Sequence, residues 1–258
     1  MIEVSNVFHH YGVRPVLDDV SFVVETGQTL AIIGPNGSGK TTLLSLLGGL
    51  ASSFEGTVRI DGMVRRGTPE DELSIRERTV FLPDDCWLPD TNGRLFLLGV
   101  GELYGIEQRQ LFEHVDQLLK VFQLEELGNS KMSFYSTGQK KKVGLCSALV
   151  SEAQVLLLDE PFSGGLDPAG ITAMKQILKH LTAREDRTVV LTSPVPELVE
   201  EVADAVLILS EGRVLKCDLI DNIKTETESD SLDEALRKLI FPETEADLHA
   251  YFNREAAA

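Results

Sequence analysis

The sequence predicts an α/β fold with a mainly parallel sheet, an N-terminal antiparallel β subdomain and an inserted helical subdomain. Three observations carry that prediction. Short apolar or alternating runs crowd residues 2 to 60, helical spacing takes over between Pro89 and Val150, and three apolar runs separated by helical patterns follow from Gln154.

Taken in order, Ile2 to Val7, Leu17 to Val24, Thr29 to Ile33 and Thr57 to Ile60 read as strands separated by glycine-containing turns. In the next region LFEHVDQLLKVF sets Leu111, Val115, Leu118, Leu119 and Phe122 at helical spacing, and no convincing strand interrupts it, so residues 88 to 150 form the helical subdomain. QVLLLDEP, TVVLTSP and DAVLILSEGRVL are then strands, with AGITAMKQILKHL and PELVEEVA as the helices between them. That βαβ rhythm implies a buried parallel sheet. Residues 1 to 224 make up this body. From Thr225 to Ala258 nine acidic residues face three basic ones, and SLDEALRKLI places Leu232, Leu236, Leu239 and Ile240 on one side, as in an acidic helical tail that packs on the body or on a partner.

Composition removes several functional classes. The chain has 258 residues, 43% of them hydrophobic, enough for a sizeable core. Its net charge of −17 opposes nonspecific attraction to phosphate backbones, which argues against a nucleic-acid partner. Lys140, Lys141 and Lys142 are expected to be a solvated face. Cys86, Cys146 and Cys217 fit no metal or disulfide spacing and read as free thiols. No apolar run approaches bilayer length, and MIEVSNVFHHYG carries neither a basic flank nor an apolar signal core, so a cytoplasmic location is expected.

Two motifs carry chemistry. GPNGSGKT, residues 34 to 41, fits GxxxxGK[ST] between the strand LAII and the helical run TTLLSLLGGL, which is the context of a P-loop NTPase core. Gly34, Pro35, Asn36, Gly37, Ser38, Gly39, Lys40, Thr41 and Thr42 are therefore the expected nucleotide-binding residues. Flexible glycines turn backbone N–H groups toward an anion, Lys40 adds a point charge for the β- and γ-phosphates, and Thr41 offers a hydroxyl to Mg²⁺. In VLLLDEP, Asp159 ends an apolar strand where a carboxylate can hold magnesium. Glu160 follows as the candidate general base for an attacking water.

In this order the motifs resemble those of the ATP-binding cassette ATPases, and the resemblance runs from residue 2 to about 223. YSTGQKKK, residues 135 to 142, is similar to that family's signature loop. The resemblance implies that Ser136, Gly138 and Gln139 meet the γ-phosphate of ATP bound to an opposite subunit, so that two cassettes, alike or different, sandwich two nucleotides. Tyr11 in HHYG stands where the family keeps an aromatic that stacks on adenine, and GGLDP, with Asp167 and Pro168, resembles the loop that contacts the other subunit, one residue longer than the common form.

Two positions depart from the family pattern. In TVFLPDD the family places glutamine after the proline, touching magnesium and water. Here Asp84 stands there, a carboxylate still able to serve magnesium but adding negative charge near the triphosphate. After TVVLTS the family places a histidine that contacts the γ-phosphate. Here Pro194 has neither a side-chain donor nor a backbone N–H, and Thr192 and Ser193 are expected only to complete the strand.

The leading expectation is an ATP-binding and ATP-hydrolysing subunit of a membrane transporter, resembling exporter-type cassettes, held peripherally at the inner face of the cell membrane by a separate permease. ATP and Mg²⁺ are its implied cofactors. The alternative, motivated by Asp84 and Pro194, is a degenerate cassette that clamps ATP with little hydrolysis and regulates a partner. A soluble cassette of DNA repair or translation would predict coiled-coil arms or basic surfaces, which this chain lacks.

Overall fold

The structure, a computed structural model, describes residues 1–12, 14–183 and 187–240. Strands β1 (Ile2–Tyr11) and β2 (Arg14–Val24) pair antiparallel. After β3 (Thr29–Ile33) and helix α1 (Lys40–Leu47), β4 (Glu55–Ile60) returns to the other edge of β1 and meets the short β5 (Met63–Val64). The result is a four-stranded antiparallel sheet ordered β2-β1-β4-β5. Alternation explains its one-sided packing: Ile2, Val4, Val20, Phe22, Val24, Val58 and Ile60 are buried, whereas Ser21, Val23 and Arg59 between them are exposed. β1 runs four residues beyond the expected Val7, which carries Tyr11 to its end.

Helix α2 (Pro69–Arg78) and strand β6 (Thr79–Leu82) come next. Periodicity could not reveal α2, because Ile75 is its one buried residue. Its signal lies in the ends: Thr68 accepts a hydrogen bond from the Asp71 N–H, Pro69 opens the first turn with acidic residues beside it, and Arg76 and Arg78 close the last. Helices α3 (Gly93–Leu103), α4 (Gln108–Val121) and α5 (Thr137–Val150), with a 3-10 turn at Met132–Phe134, then build the helical lobe. Leu111, Val115, Leu118, Leu119 and Phe122 are buried, as their spacing predicts.

The C-terminal half contains β7 (Val155–Leu158), α6 (Pro168–Thr182), β8 (Thr188–Thr192), α7 (Pro196–Val202), β9 (Ala205–Ser210), β10 (Arg213–Leu219), α8 (Ile220–Glu226) and α9 (Leu232–Ile240). Its six-stranded sheet has the order β10-β9-β3-β8-β7-β6. It is parallel except for β10, which returns from β9 as an antiparallel edge. Successive residues of the parallel strands enter two different cores. Ala31, Leu158, Leu191 and Ile208 pack with the helical lobe and the C-terminal helices, while Ile32, Leu157, Val190 and Leu207 pack with α1 and the antiparallel sheet.

Register aligns Leu82 with Leu158, Leu158 with Leu191, and Ile32 with Thr192. The residues that follow these positions therefore emerge along one edge, outside the carboxyl ends of the parallel strands. The acidic tail packs on the body: Leu232, Ala235 and Leu236 of α9 are buried in the core of the helical lobe. Helix α8 crosses the expected 224/225 boundary, and residues 241–258 of the expected tail lie outside the described residues.

Candidate active site

The loop between β3 and α1 is shaped by close backbone contacts. A Cβ on Gly34 would stand 1.9 Å from the Leu209 carbonyl oxygen of β9, and one on Gly39 would stand 2.8 Å from the Val16 carbonyl oxygen. Gly39 also has φ +105°, in the region open to glycine. The loop is thus wedged between the start of β2 and the end of β9. Gly212 in the β9–β10 turn donates its N–H to the Ser38 carbonyl at 3.2 Å.

Lys40 is buried and donates to the Gly34 and Pro35 carbonyls at 2.8 and 3.0 Å, closing the loop on itself. Burial pushes its ammonium below the ordinary lysine value, against the raising pull of Glu160 and Asp159. Both carboxylates follow the end of β7, and Glu160 shares a crevice with Lys40. Thr41 is exposed, and Ser38 Oγ is buried with no hydrogen-bond partner among the described residues. Tyr11, Asn36, Gly37, Gly39, Lys40, Thr41, Thr42 and Glu160 line one crevice of about 380 Å³. Tyr11 packs on the His9 ring in a T-shaped contact and is 65% exposed, so it is accessible to a planar ligand.

Asp159 is buried and Glu160 half-buried. One side chain that the sequence leaves as simple strand completion holds both: Thr192 Oγ1 donates to Asp159 Oδ1 at 2.6 Å and accepts the Glu160 N–H at 2.9 Å. Asp159 Oδ2 accepts no hydrogen bond among the described residues. Glu160 has φ +45°, a left-handed backbone unusual for a residue with a side chain. Ser193 Oγ accepts the Val195 N–H at 3.1 Å, and Pro194 is exposed.

Ser136 and Gln139 form a reciprocal capping box at the start of α5: the Gln139 N–H donates to Ser136 Oγ at 3.3 Å, and the Ser136 N–H donates to Gln139 Oε1 at 2.8 Å. A Cβ on Gly138 would stand 2.4 Å from the Gly165 carbonyl oxygen, so this loop rests directly on the longer glycine loop, where Gly164 and Gly165 are both left-handed. Ser136, Gly138 and Gln139 do not line the phosphate-loop crevice of their own chain.

One expectation needs correction here. Lys141 and Lys142 are buried and not solvated. Lys142 donates to Asp167 Oδ2 at 2.8 Å, while Asp167 Oδ1 accepts the Gly170 N–H and caps α6. Lys141 reaches Asp84, whose Oδ1 is 3.0 Å from the ammonium and 2.7 Å from Ser163 Oγ. The Asp84 carboxylate is thus paired with a cation of the protein itself. Burial would raise its pKa, but the bonds from Ser163 and Lys141 and the ammonium charge outweigh burial and lower it. Among the described residues no three His, Cys, Asp or Glu side chains gather as a metal cluster. The Thr41 hydroxyl and Asp159 carboxylate are hard oxygen donors that suit Mg²⁺ bound partly through substrate phosphates and water.

Comparison with known proteins agrees with this geometry. Residues 17–163 match the family described as ABC transporter. The chain is 35% identical over 213 residues, 82% of its length and 68% of the relative's, to the Nod factor export ATP-binding protein I of Paraburkholderia xenovorans. It is 34% identical over 218 residues, 84% of its length and 83% of the relative's, to the taurine import ATP-binding protein TauB of Escherichia coli K12. Among solved structures it is similar to a dimer of the ATP-binding cassette MJ0796 in a post-hydrolysis state bound to ADP and Pi. The TM-score is 0.76 at 25% identity, with 85% of this chain and 98% of that one covered. The phosphate loop, the Asp-Glu strand end and the capped loop at α5 thus lie on a shared fold, and the chain belongs to the ABC transporter family as an ATP-binding, ATP-hydrolysing subunit.

Proposed function

We propose that this chain hydrolyses Mg-ATP at the crevice between the phosphate loop and Glu160, in a dimer of cassettes attached to a separate transmembrane permease. The observation that carries the proposal is the pair Asp159 and Glu160, held by one Thr192 hydroxyl, with Glu160 in the same crevice as Lys40. The N–H groups of residues 34 to 41 and the Lys40 ammonium bind the triphosphate, and on binding Lys40 exchanges its two loop carbonyls for phosphate oxygens. Tyr11 stacks on the adenine. Thr41 and Asp159 would hold Mg²⁺, which would supply charge neutralisation for the phosphoryl transfer. The Glu160 carboxylate takes a proton from water as the water oxygen bonds to the γ-phosphorus. The bond from that phosphorus to the bridging oxygen breaks, leaving ADP and phosphate.

Ser136, Gly138 and Gln139 lie outside the crevice of their own chain, which supports their use toward nucleotide on a second subunit. The second subunit is a copy of this chain or a sibling. Among the described residues no helix is long and apolar enough to cross a membrane, and a permease would hold the cassette at the inner face. Trp87, 85% exposed, lines a crevice with Cys86, Leu88 and Met132 beside Asp84, and this is the surface we assign to the permease. The relatives are named for export and for import alike, so likeness to them does not select a direction. Glu160 is intact, and nothing in these likenesses favours a regulator that binds without hydrolysing.

Glu160→Gln tests the reading. Turnover is expected to fall about 10²-fold or more, the range general-base removal reaches. ATP binding is retained, and ATP-dependent dimers accumulate in light scattering. Equal turnover in the two proteins removes Glu160 from the role of base.

A further inference from the structure

Lys141 lies in the first turns of a helix, yet its side chain is only 3% exposed. An ammonium has three protons, and three oxygens stand ready for them: Asp84 Oδ1 at 3.0 Å, the Asp84 carbonyl at 3.2 Å and the Asp159 carbonyl at 3.4 Å. Ser163 Oγ lies 2.7 Å from the same Asp84 Oδ1 and 2.9 Å from the Glu160 carbonyl. These contacts tie together the loop after β6, the start of α5 and the turn after β7.

The peptide between Asp159 and Glu160 is consequently held at both of its polar atoms. Its carbonyl accepts from Lys141, and its N–H donates to Thr192 Oγ1. Glu160 follows immediately with φ +45°. A side-chain-bearing residue stays in that region when its surroundings over-determine the backbone, and a peptide fixed at both ends does so. The partner of Lys141 fits the same account. A nearly buried ammonium needs a counter-charge, and the half-exposed Asp84 provides it while having its own charge cancelled beside a site for a triphosphate.

We propose that Lys141 is a positioning residue for Glu160, and that its ammonium, in place of a metal ion, is the cation that Asp84 serves. Lys141 acts through the Asp159–Glu160 peptide and does not touch the reacting atoms. Asp84 keeps the ammonium in place and is electrically silent toward nucleotide while paired. The inference rests on the reading of Glu160 as the base.

Three variants separate the roles: Lys141→Met, Asp84→Asn and the double variant. Binding of a fluorescent ATP analogue without and with Mg²⁺ reads affinity without turnover, and steady-state hydrolysis across a Mg²⁺ titration reads kcat and the metal requirement. Lys141→Met unmasks the Asp84 carboxylate and frees the peptide, so nucleotide binds about three- to tenfold more weakly and turnover falls about tenfold or more. Asp84→Asn leaves Lys141 its carbonyls and an amide oxygen but removes a negative charge. Nucleotide then binds more tightly, and the Mg²⁺ needed for half-maximal turnover stays within about twofold of the parent. The double variant returns to the parent's affinity and keeps the low turnover of Lys141→Met.

Opposite signs in affinity are the signature, because a scaffold defect weakens binding in both single variants. A tenfold rise in the Mg²⁺ requirement of Asp84→Asn makes Asp84 a metal ligand and overturns the proposal, as does parental turnover in the double variant. The Asp84→Asn arm stands alone if Lys141→Met does not fold, and the binding arm is independent of whether Glu160→Gln abolishes hydrolysis.

Discussion

At the scale of single residues, Thr192 carries the most structure for its size. Its hydroxyl is buried, donates to Asp159 and accepts from the Glu160 amide, so both carboxylate-bearing residues depend on one oxygen atom. Thr192→Val keeps the shape and strands both partners. We expect a stability loss of about 1–3 kcal/mol, the cost of leaving buried groups unpaired, and a kcat lower by at least tenfold with KM for ATP little changed. Thr192→Ser restores both, and urea unfolding with steady-state kinetics checks the pair; a Val variant with parental kcat removes Thr192 from this role. Asp159 and Glu160 were legible in the sequence because an apolar strand ending in two carboxylates behind a phosphate loop has few other uses. Lys141 and Lys142 were not. Their partners Asp84 and Asp167 are 57 and 25 residues away, and only the fold turns a run that reads as solvated into two buried ammoniums paired with half-exposed carboxylates. Thr192 was missed for a related reason: periodicity marks a residue as strand but does not say which strand end faces it.

At the scale of elements, helix ends organise the site. Asp167 spends one carboxylate oxygen on capping α6 and the other on Lys142 of α5, which locks the two helices at their starts. The Lys142 hydrogen bond and the Gly170 amide bond hold its pKa below the ordinary aspartate value of 3.8. A carboxyl group with a lowered folded pKa contributes stability that is fully present above its unfolded pKa and lost as pH falls through its folded one. Asp167→Asn is therefore expected to lower stability at pH 7 and to flatten the loss below pH 3.8, with urea midpoints from pH 7 to pH 2 as the measurement; an unchanged acid limb detaches Asp167 from it. The neighbouring loop contact gives a second test. Gly138→Ala drives a methyl group to 2.4 Å from the Gly165 carbonyl, so the loop at α5 or the glycine loop has to move. The expected cost is about 1–3 kcal/mol, typical of overpacking, together with loss of ATP-dependent dimers in light scattering; dimers at parental ATP concentrations refute it. Strands and amphipathic helices were readable at this scale, whereas α2 and α8 bury one or two residues each and leave no apolar stripe to find.

At the scale of the whole molecule, the parallel sheet is a partition. Alternate residues of β3, β7, β8 and β9 feed two hydrophobic cores, so strands whose ends carry the phosphate loop, Asp159 and Thr192 stand between the helical lobe and the antiparallel sheet. The C-terminal segment belongs to the first of these cores. Leu232 and Leu236 are buried there, and Glu200 of α7 accepts the Leu232 N–H at 2.9 Å and Lys224 of α8 at 2.5 Å. α7 begins two residues after Pro194, so the tail helix braces the element that starts just beyond the position where the family's histidine is missing. An acidic, amphipathic segment on an exposed surface would unfold by itself without disturbing the rest. One seated in a continuous core melts with it. Leu232→Ala is accordingly expected to cost about 2–4 kcal/mol and lower the unfolding temperature by roughly 5–12 °C, as one transition seen alike by far-UV and near-UV circular dichroism. A separate early transition confined to helical signal, with the main unfolding temperature unchanged, would make the tail an appendage whose contacts with α7 do not reach the core.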